Sequence, residues 1–360
     1  MKFKILFLAM ISLVSFAHCS KNEPVDKKLV KTTFANPVWD GADPWMVKHN
    51  DDYVYCFSVN NSIVLSKSKY MTKMGELKNI WRAPATGWNR NCVWAPEIHF
   101  IDGYWYVYYA AGESGPPFVH QKTGVLRSKT EDVFSEYEDM GMLYTGDNPN
   151  DPESNVWAID MTILEHNAKL YAIWSGWLKQ MDTDATPQHL YIQKMKNPYT
   201  LVGKRVKISS PEQDWEIGGP LNLNEGPQVL KGKDQVFIVY SCRESWLKEY
   251  RQGMLHLKDA NSDLLNPQNW IKKGPVFQGN SLVHGVGHCS FIKSPNGTQD
   301  WIIYHSKKSI SPGWERDVRM QPFQWNKDGM PVFGEAVPAG TEIDRPAGEA
   351  QVEEENLKHQ

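Results

Sequence analysis

One pattern recurs five times along the chain, and few architectures can accommodate it. An apolar stretch opens on a marked position, reaches a turn about seven residues later, and is followed by an aromatic, alternating strand. The stretches read D-P-W-M-V-K-H-N (43–50), A-P-E-I-H-F-I-D (95–102), D-M-T-I-L-E-H-N (160–167), E-G-P-Q-V-L-K-G (225–232) and H-C-S-F-I-K-S-P-N (288–296). Each ends on turn residues: Asn50-Asp51, Asp102-Gly103, Asn167-Ala168, Gly232-Lys233 and Asn296-Gly297. Asn and Gly tolerate the positive φ that tight hairpins need. The strands that follow (Y-V-Y-C-F, Y-W-Y-V-Y-Y, L-Y-A-I-W, V-F-I-V-Y, W-I-I-Y-H) carry the residues that fit a pleated surface.

The openings fall 52, 65, 65 and 63 residues apart, and no strong amphipathic helix lies between them. Short antiparallel strands repeated at this length predict an all-β, five-bladed β-propeller. A β-sandwich would also contain short strands, but it would not put polar residues at one phase of every repeat. The opening residues are Asp43, Ala95, Asp160, Glu225 and His288, four of them ionisable. Charge at the head of a buried strand is costly unless it has a task. The first strand of each propeller blade lines the axis, so the four are expected to converge there. Glu97 sits two residues deeper and reads as a buried structural hydrogen-bonding group.

A net charge of −3, with no Lys/Arg cluster interleaved with aromatics, gives no reason to expect a nucleic-acid partner. The 15 Trp and 15 Tyr read mostly as blade packing. Trp94, one residue before the second opening, is the candidate for stacking on a sugar. Lys2 and Lys4 precede an apolar run from Ile5 to Phe16, the form of an export signal. Two readings of its end compete: a small-x-small site at Ser15-Phe16-Ala17, or a lipoprotein-type signal with Cys19 as the lipidated first mature residue. The second gives a signal over 1–18, a linker over 19–33, the propeller over 34–341 and a frayed polar tail over 342–360. Membrane contact would then come only through the lipid, at a periplasmic or outer cell surface. Otherwise the protein would be soluble and periplasmic or secreted. Cys56, Cys92, Cys242 and Cys289 form no C-x-x-C motif, so zinc and redox motifs are unsupported.

Carboxylates around an aromatic-walled pocket suit glycoside hydrolysis, which needs one protonated acid and one ionised base or nucleophile. A third carboxylate beside the acid would raise its pKa. Taken singly, Asp43 could be a turn residue, Asp160 a backbone cap and Glu225 a loop residue. Their shared phase favours a joint role. His288 has three readings: core histidine, metal ligand or substrate contact.

Gly41-Ala42-Asp43-Pro44, Trp94-Ala95-Pro96-Glu97, Ala158-Ile159-Asp160, Asn224-Glu225-Gly226-Pro227 and Gly287-His288 together resemble glycoside hydrolase family 43, propeller enzymes acting on arabinans and xylans. The resemblance runs over roughly 34–340. It implies Asp43 as general base, Glu225 as general acid and Asp160 as the residue that orients the acid and tunes its pKa, with inversion at the anomeric carbon. It places Trp94 and Ala95 on an apolar wall of the pocket and implies that a late arginine, Arg319 in preference to Arg316, contacts the sugar. No cofactor is implied for the chemistry. His288 would hold a structural calcium or similar ion through waters at the channel centre. The runs N-E-G-P-Q-V-L, G-H-C-S-F-I-K-S-P-N-G and P-V-F-G-E-A-V are most similar to exo-acting α-L-arabinofuranosidases, which implies a plant-type polysaccharide or oligosaccharide as substrate. A β-xylosidase or galactofuranosidase of the same family, and a non-catalytic surface glycan-binding propeller, remain as alternatives.

Overall fold

A computed structural model describes residues 30–148, 151 and 154–358. The expected export signal, Cys19 and most of the linker lie outside the described residues. Five sheets are arranged as a five-bladed propeller. Blade one holds Trp45–His49, Asp52–Val59, Ser62–Ser68 and Glu76–Arg82, hydrogen-bonded in that order. Blades two to four repeat the meander, starting from Asn91–Ile101, Ala158–His166 and Asn224–Lys231. Blade five runs His284–Lys293, Asp300–Lys307, Arg316–Trp325, and its next strand is Trp39–Asp40 from the other end of the chain. Trp39 pairs with Val318 and Asp40 with Asp317, which closes the ring.

The first strands touch one another in a closed cycle around the axis. Their outward neighbours alternate in the manner of strands, so each blade presents apolar side chains on both faces. The core is therefore five wedges between adjacent blades. Val54, Leu65, Ile98 and Val107 fill the wedge between blades one and two. Met46, Tyr55, Ile303 and Val318 fill the one between blades five and one. Each fully buried Leu or Ile contributes about 1.5–3 kcal/mol by removal from water.

The turns follow the sequence reading in three blades. Two residues join His49 to Asp52, Ile101 to Tyr104 and His166 to Lys169. Asn50, Asp102 and Asn167 each take a φ near +50° (53°, 49° and 49°). In blade four the pairing Lys231–Val236 leaves a four-residue loop, and in blade five Lys293–Asp300 leaves six, so Gly232-Lys233 and Asn296-Gly297 are not two-residue hairpins.

Over the described part of the expected frayed tail, 342–358, the chain is ordered instead. Glu342–Asp344 pairs with Thr33–Ala35, and Glu349–Lys358 is a helix. Buried Arg345 donates from Nη2 to Glu349 Oε1 at 3.2 Å and from its backbone N–H to the Thr32 carbonyl at 2.9 Å. Glu349, fully buried, accepts from the Thr72 hydroxyl of blade one at 2.5 Å. Arg345 pairs with Glu349 and Glu353, and Glu353 also pairs with Lys73 of the propeller.

Candidate active site

Each blade enters the axis through the same backbone irregularity. Asp43 (φ 50°), Ala95 (42°), Asp160 (55°), Gly226 (53°) and His288 (42°) all lie in the left-handed region. Such a conformation is uncommon for residues other than glycine. In blades two to five the strand register shifts at this point, between Trp94 and Glu97, Ile159 and Thr162, Glu225 and Gln228, and Gly287 and Cys289. A bulge of this kind re-aims a side chain and ends regular pairing.

The ring position is thus Asp43, Ala95, Asp160, Gly226 and His288. Glu225 stands one residue before it, level with Trp94, so the expected phase of Glu225 is corrected by one. Gly226 is required on two counts: its φ is left-handed, and a Cβ there would lie 3.1 Å from the His288 ring. Its free N–H donates to Asp160 Oδ2 at 2.9 Å, which joins blade three to blade four at the site.

Asp43 is surrounded by nitrogen. Its Oδ1 lies 3.3 Å from His288 Nδ1, 3.2 Å from His305 Nδ1 and 3.4 Å from Arg316 Nη1. Its backbone N–H donates to His305 Nδ1 at 3.1 Å. Burial alone would raise the Asp43 carboxyl, but the Arg316 guanidinium and His288 outweigh it and hold the group well below the usual carboxylate range. Burial lowers His305 to about 4, so near neutral pH its imidazole is uncharged and can accept that N–H.

Glu225 has the opposite environment. Burial raises its carboxyl to about 7, against the Tyr250 hydroxyl, which donates to Oε1 at 2.9 Å. Burial also raises Asp160 to about 7; His288 pulls it down, and the Glu225 and Asp43 carboxyls push it up. The Tyr250 ring stacks on His305 at 5.4 Å and 10°, so the supports of Glu225 and Asp43 touch. Gly287 makes room for that ring, because a Cβ there would come within 2.1 Å of Tyr250 Cε1. Ser241 Oγ accepts the His288 N–H at 2.8 Å and fixes the bulge.

Asp43, Asp160, Glu225 and His288 are therefore brought together. Trp94 is half-buried, edge-on to Phe118 with ring centres 4.8 Å apart, and Ala95 is buried beside it. Arg319 is not brought to the cluster. It is buried within blade five, donating from Nε to Ser306 Oγ at 2.6 Å and Asp317 Oδ1 at 3.0 Å, and from Nη1 to the Val337 carbonyl at 3.0 Å. Arg316 takes the place beside Asp43. Strand alternation separates the two: Arg316 shares a face with Val318 and Met320, which pack toward blade one, whereas Arg319 is on the other face. Tyr250, His305 and Ser241 also line the cluster, at positions outside the repeat phase. The signal for His305 was a lone polar residue ending the aromatic run W-I-I-Y-H.

One layer deeper are Trp45, Glu97, Thr162, Gln228 and Ser290, each two residues past the ring position. Glu97 is buried, accepts from Gln228 Nε2 at 2.5 Å and lies 3.2 Å from His99 Nε2. Burial raises its carboxyl to about 8, which keeps it neutral and structural at pH 7. Gln228 Oε1 and Ser290 Oγ are buried without a hydrogen-bond partner. Oxygens of this kind suit ordered water, or waters around a hard cation. Among the described residues, no group of three or more His, Cys, Asp and Glu is arranged to hold a metal directly.

A closed propeller that brings carboxyl groups of opposed environment to its axis has the form of a glycosidase, whose reaction uses one protonated and one ionised carboxyl group. The profile described as Glycosyl hydrolases family 43 matches residues 34–331, and the chain belongs to that family. It is 32% identical to an extracellular exo-α-(1→5)-L-arabinofuranosidase of Streptomyces avermitilis, over 92% of this chain and 69% of that one. It is 30% identical to α-L-arabinofuranosidase 43 of Humicola insolens, over 94% and 70%. The crystal structure of an α-L-arabinofuranosidase from Lactobacillus brevis superposes with a TM-score of 0.77 at 31% identity, covering 86% of this chain and 98% of that one.

Proposed function

We propose that the protein releases terminal α-L-arabinofuranose from arabinan or arabinoxylan side chains, with inversion of the anomeric carbon. The observation that carries this reading is the opposed environment of Asp43 and Glu225 around one axis. Asp43, held ionised by Arg316 and His288, takes a proton from the attacking water. Glu225, which keeps its proton up to about pH 7, gives it to the leaving oxygen. Asp160 acts through its neighbours: it holds the Gly226 N–H next to the acid, while the nearby Asp43 charge opposes ionisation of Glu225. Trp94 and Ala95 form an apolar wall beside the carboxyl groups, against which the apolar face of the sugar rests. The names of the similar proteins support arabinofuranose as the sugar.

The test is product analysis on arabinan and arabinoxylan oligosaccharides, with the anomer of the first product read by NMR. Free arabinose of inverted configuration is the expected product. Xylose or galactose as the main product, or internal cleavage, would overturn the specificity. Tight binding without hydrolysis over long incubation would make the protein a glycan-binding propeller.

His288, Gln228 and Ser290 would hold the waters around a structural calcium ion at the channel centre, were one bound. Chelation is expected to lower the unfolding temperature by several degrees and added calcium to restore it, as for any ligand bound only by the folded state. An unchanged transition removes the ion. Export is supported by the extracellular relatives, and no helix among the described residues is long and apolar enough to cross a membrane. With Cys19 as lipid anchor, Cys19→Ala is expected to move the protein from the membrane fraction to the soluble one; unchanged membrane association would exclude that anchor.

A further inference from the structure

Trp314 is the most exposed aromatic side chain among the described residues, with 57% of its surface open, while Trp105, Trp174, Trp177 and Trp301 are fully buried. A large apolar ring left in solvent beside a polar site marks a binding surface more readily than a packing need. It does not stand alone. Trp246, half-buried, lies against it with ring centres 5.0 Å apart and planes at 50°. The two come from different blades. Trp246 is in the loop between Val236–Cys242 and Arg251–Leu257, and Trp314 is in the loop between Asp300–Lys307 and Arg316–Trp325. The Gly313 N–H donates to the Trp246 carbonyl at 2.9 Å and fastens the loops together, and Lys307 Nζ, from Gly313's own blade, donates to the Gly313 carbonyl at 2.5 Å.

The pair adjoins both arms of the proposed chemistry. Arg316 lies with its guanidinium carbon 5.6 Å from the Trp314 ring centre and its Nη1 3.4 Å from Asp43 Oδ1. The loop carrying Trp246 ends at Tyr250, whose hydroxyl is bonded to Glu225, the group that faces the departing oxygen. We propose that Trp246 and Trp314 form an aromatic platform for the sugar ring on the leaving-group side of the scissile bond. This rests on the glycosidase reading above and adds a specificity-determining surface to it. The C–H face of a furanose or pyranose ring would lie on the outer indole, with Arg316 at the edge of the stack to meet its hydroxyls. Trp246 braces Trp314 from beneath, so the platform is preorganised.

The experiment compares kcat/KM on methyl α-L-arabinofuranoside, whose leaving group is too small to reach the platform, with kcat/KM on arabinotriose. In Trp314→Ala the triose-to-methyl ratio is expected to fall about tenfold, and Trp314→Phe to restore most of it. A ratio equal to that of the wild type overturns the platform. Calorimetric titration with arabinotriose separates this from failure of the reaction itself. A wild type that cleaves neither substrate refutes hydrolysis, whereas equal triose affinity in the wild type and Trp314→Ala refutes the platform whether or not there is turnover.

Discussion

Glu225→Gln is expected to lower kcat/KM on arabino-oligosaccharides by about 10³-fold, within the range typical for removal of a general acid. The amide can still accept from the Tyr250 hydroxyl, so the fold and the pocket should persist, and circular dichroism melts should overlay the wild type. The loss should depend on the leaving group. A dinitrophenyl arabinofuranoside, whose phenolate departs without a proton, should retain most of its rate. The wild-type profile has a matching sign: Glu225 works protonated, so activity is lost as pH rises through about 7. That apparent value belongs to Glu225 and Asp160 together, because their carboxyls influence one another. In Glu225→Gln the alkaline fall should disappear. Oligosaccharide turnover at the wild-type rate would remove Glu225 from the acid role.

Asp43→Asn should cost as much or more, about 10³–10⁴-fold, and for every substrate alike, since the attacking water is needed whatever departs. The substitution also removes the carboxylate that accepts from the Arg316 guanidinium and lies 3.3 Å from His288 Nδ1. An added anion such as azide, which needs no deprotonation, should recover part of the rate with activated substrates and yield the glycosyl azide. Indifference to azide, together with a rate near the wild type, would show that another group activates the water.

Much of this was legible in the sequence because a propeller is periodic. Five repeats of strand, turn and aromatic strand leave few alternatives, and the wedge cores follow from alternation. Asp43, Asp160 and His288 were found by their phase. Glu225 was found by the same count but one residue out of place. Asp43-Pro44, Ala95-Pro96 and Gly226-Pro227 carry the true alignment, in which proline follows the left-handed position. Motif order says nothing about which strand face looks toward blade one, so it cannot separate Arg316 from Arg319. Tyr250 and His305 were invisible because their importance comes from a stack between blades. The C-terminal segment misled by composition: buried Arg345 and Glu349 look like solvent residues until they are seen as a pair.

The strand Trp39–Asp40 has a consequence for when the enzyme becomes an enzyme. Asp43 follows it by three residues, and its partners His305 and Arg316 come from the opposite end of the chain, the latter 273 positions away. During synthesis Asp43 emerges early and waits without its setting until the last blade is made and zipped to the first. Hydrolytic competence is therefore a property of the finished circle. A chain crossing a membrane unfolded, or one whose seam has come apart, carries every catalytic side chain and remains inert.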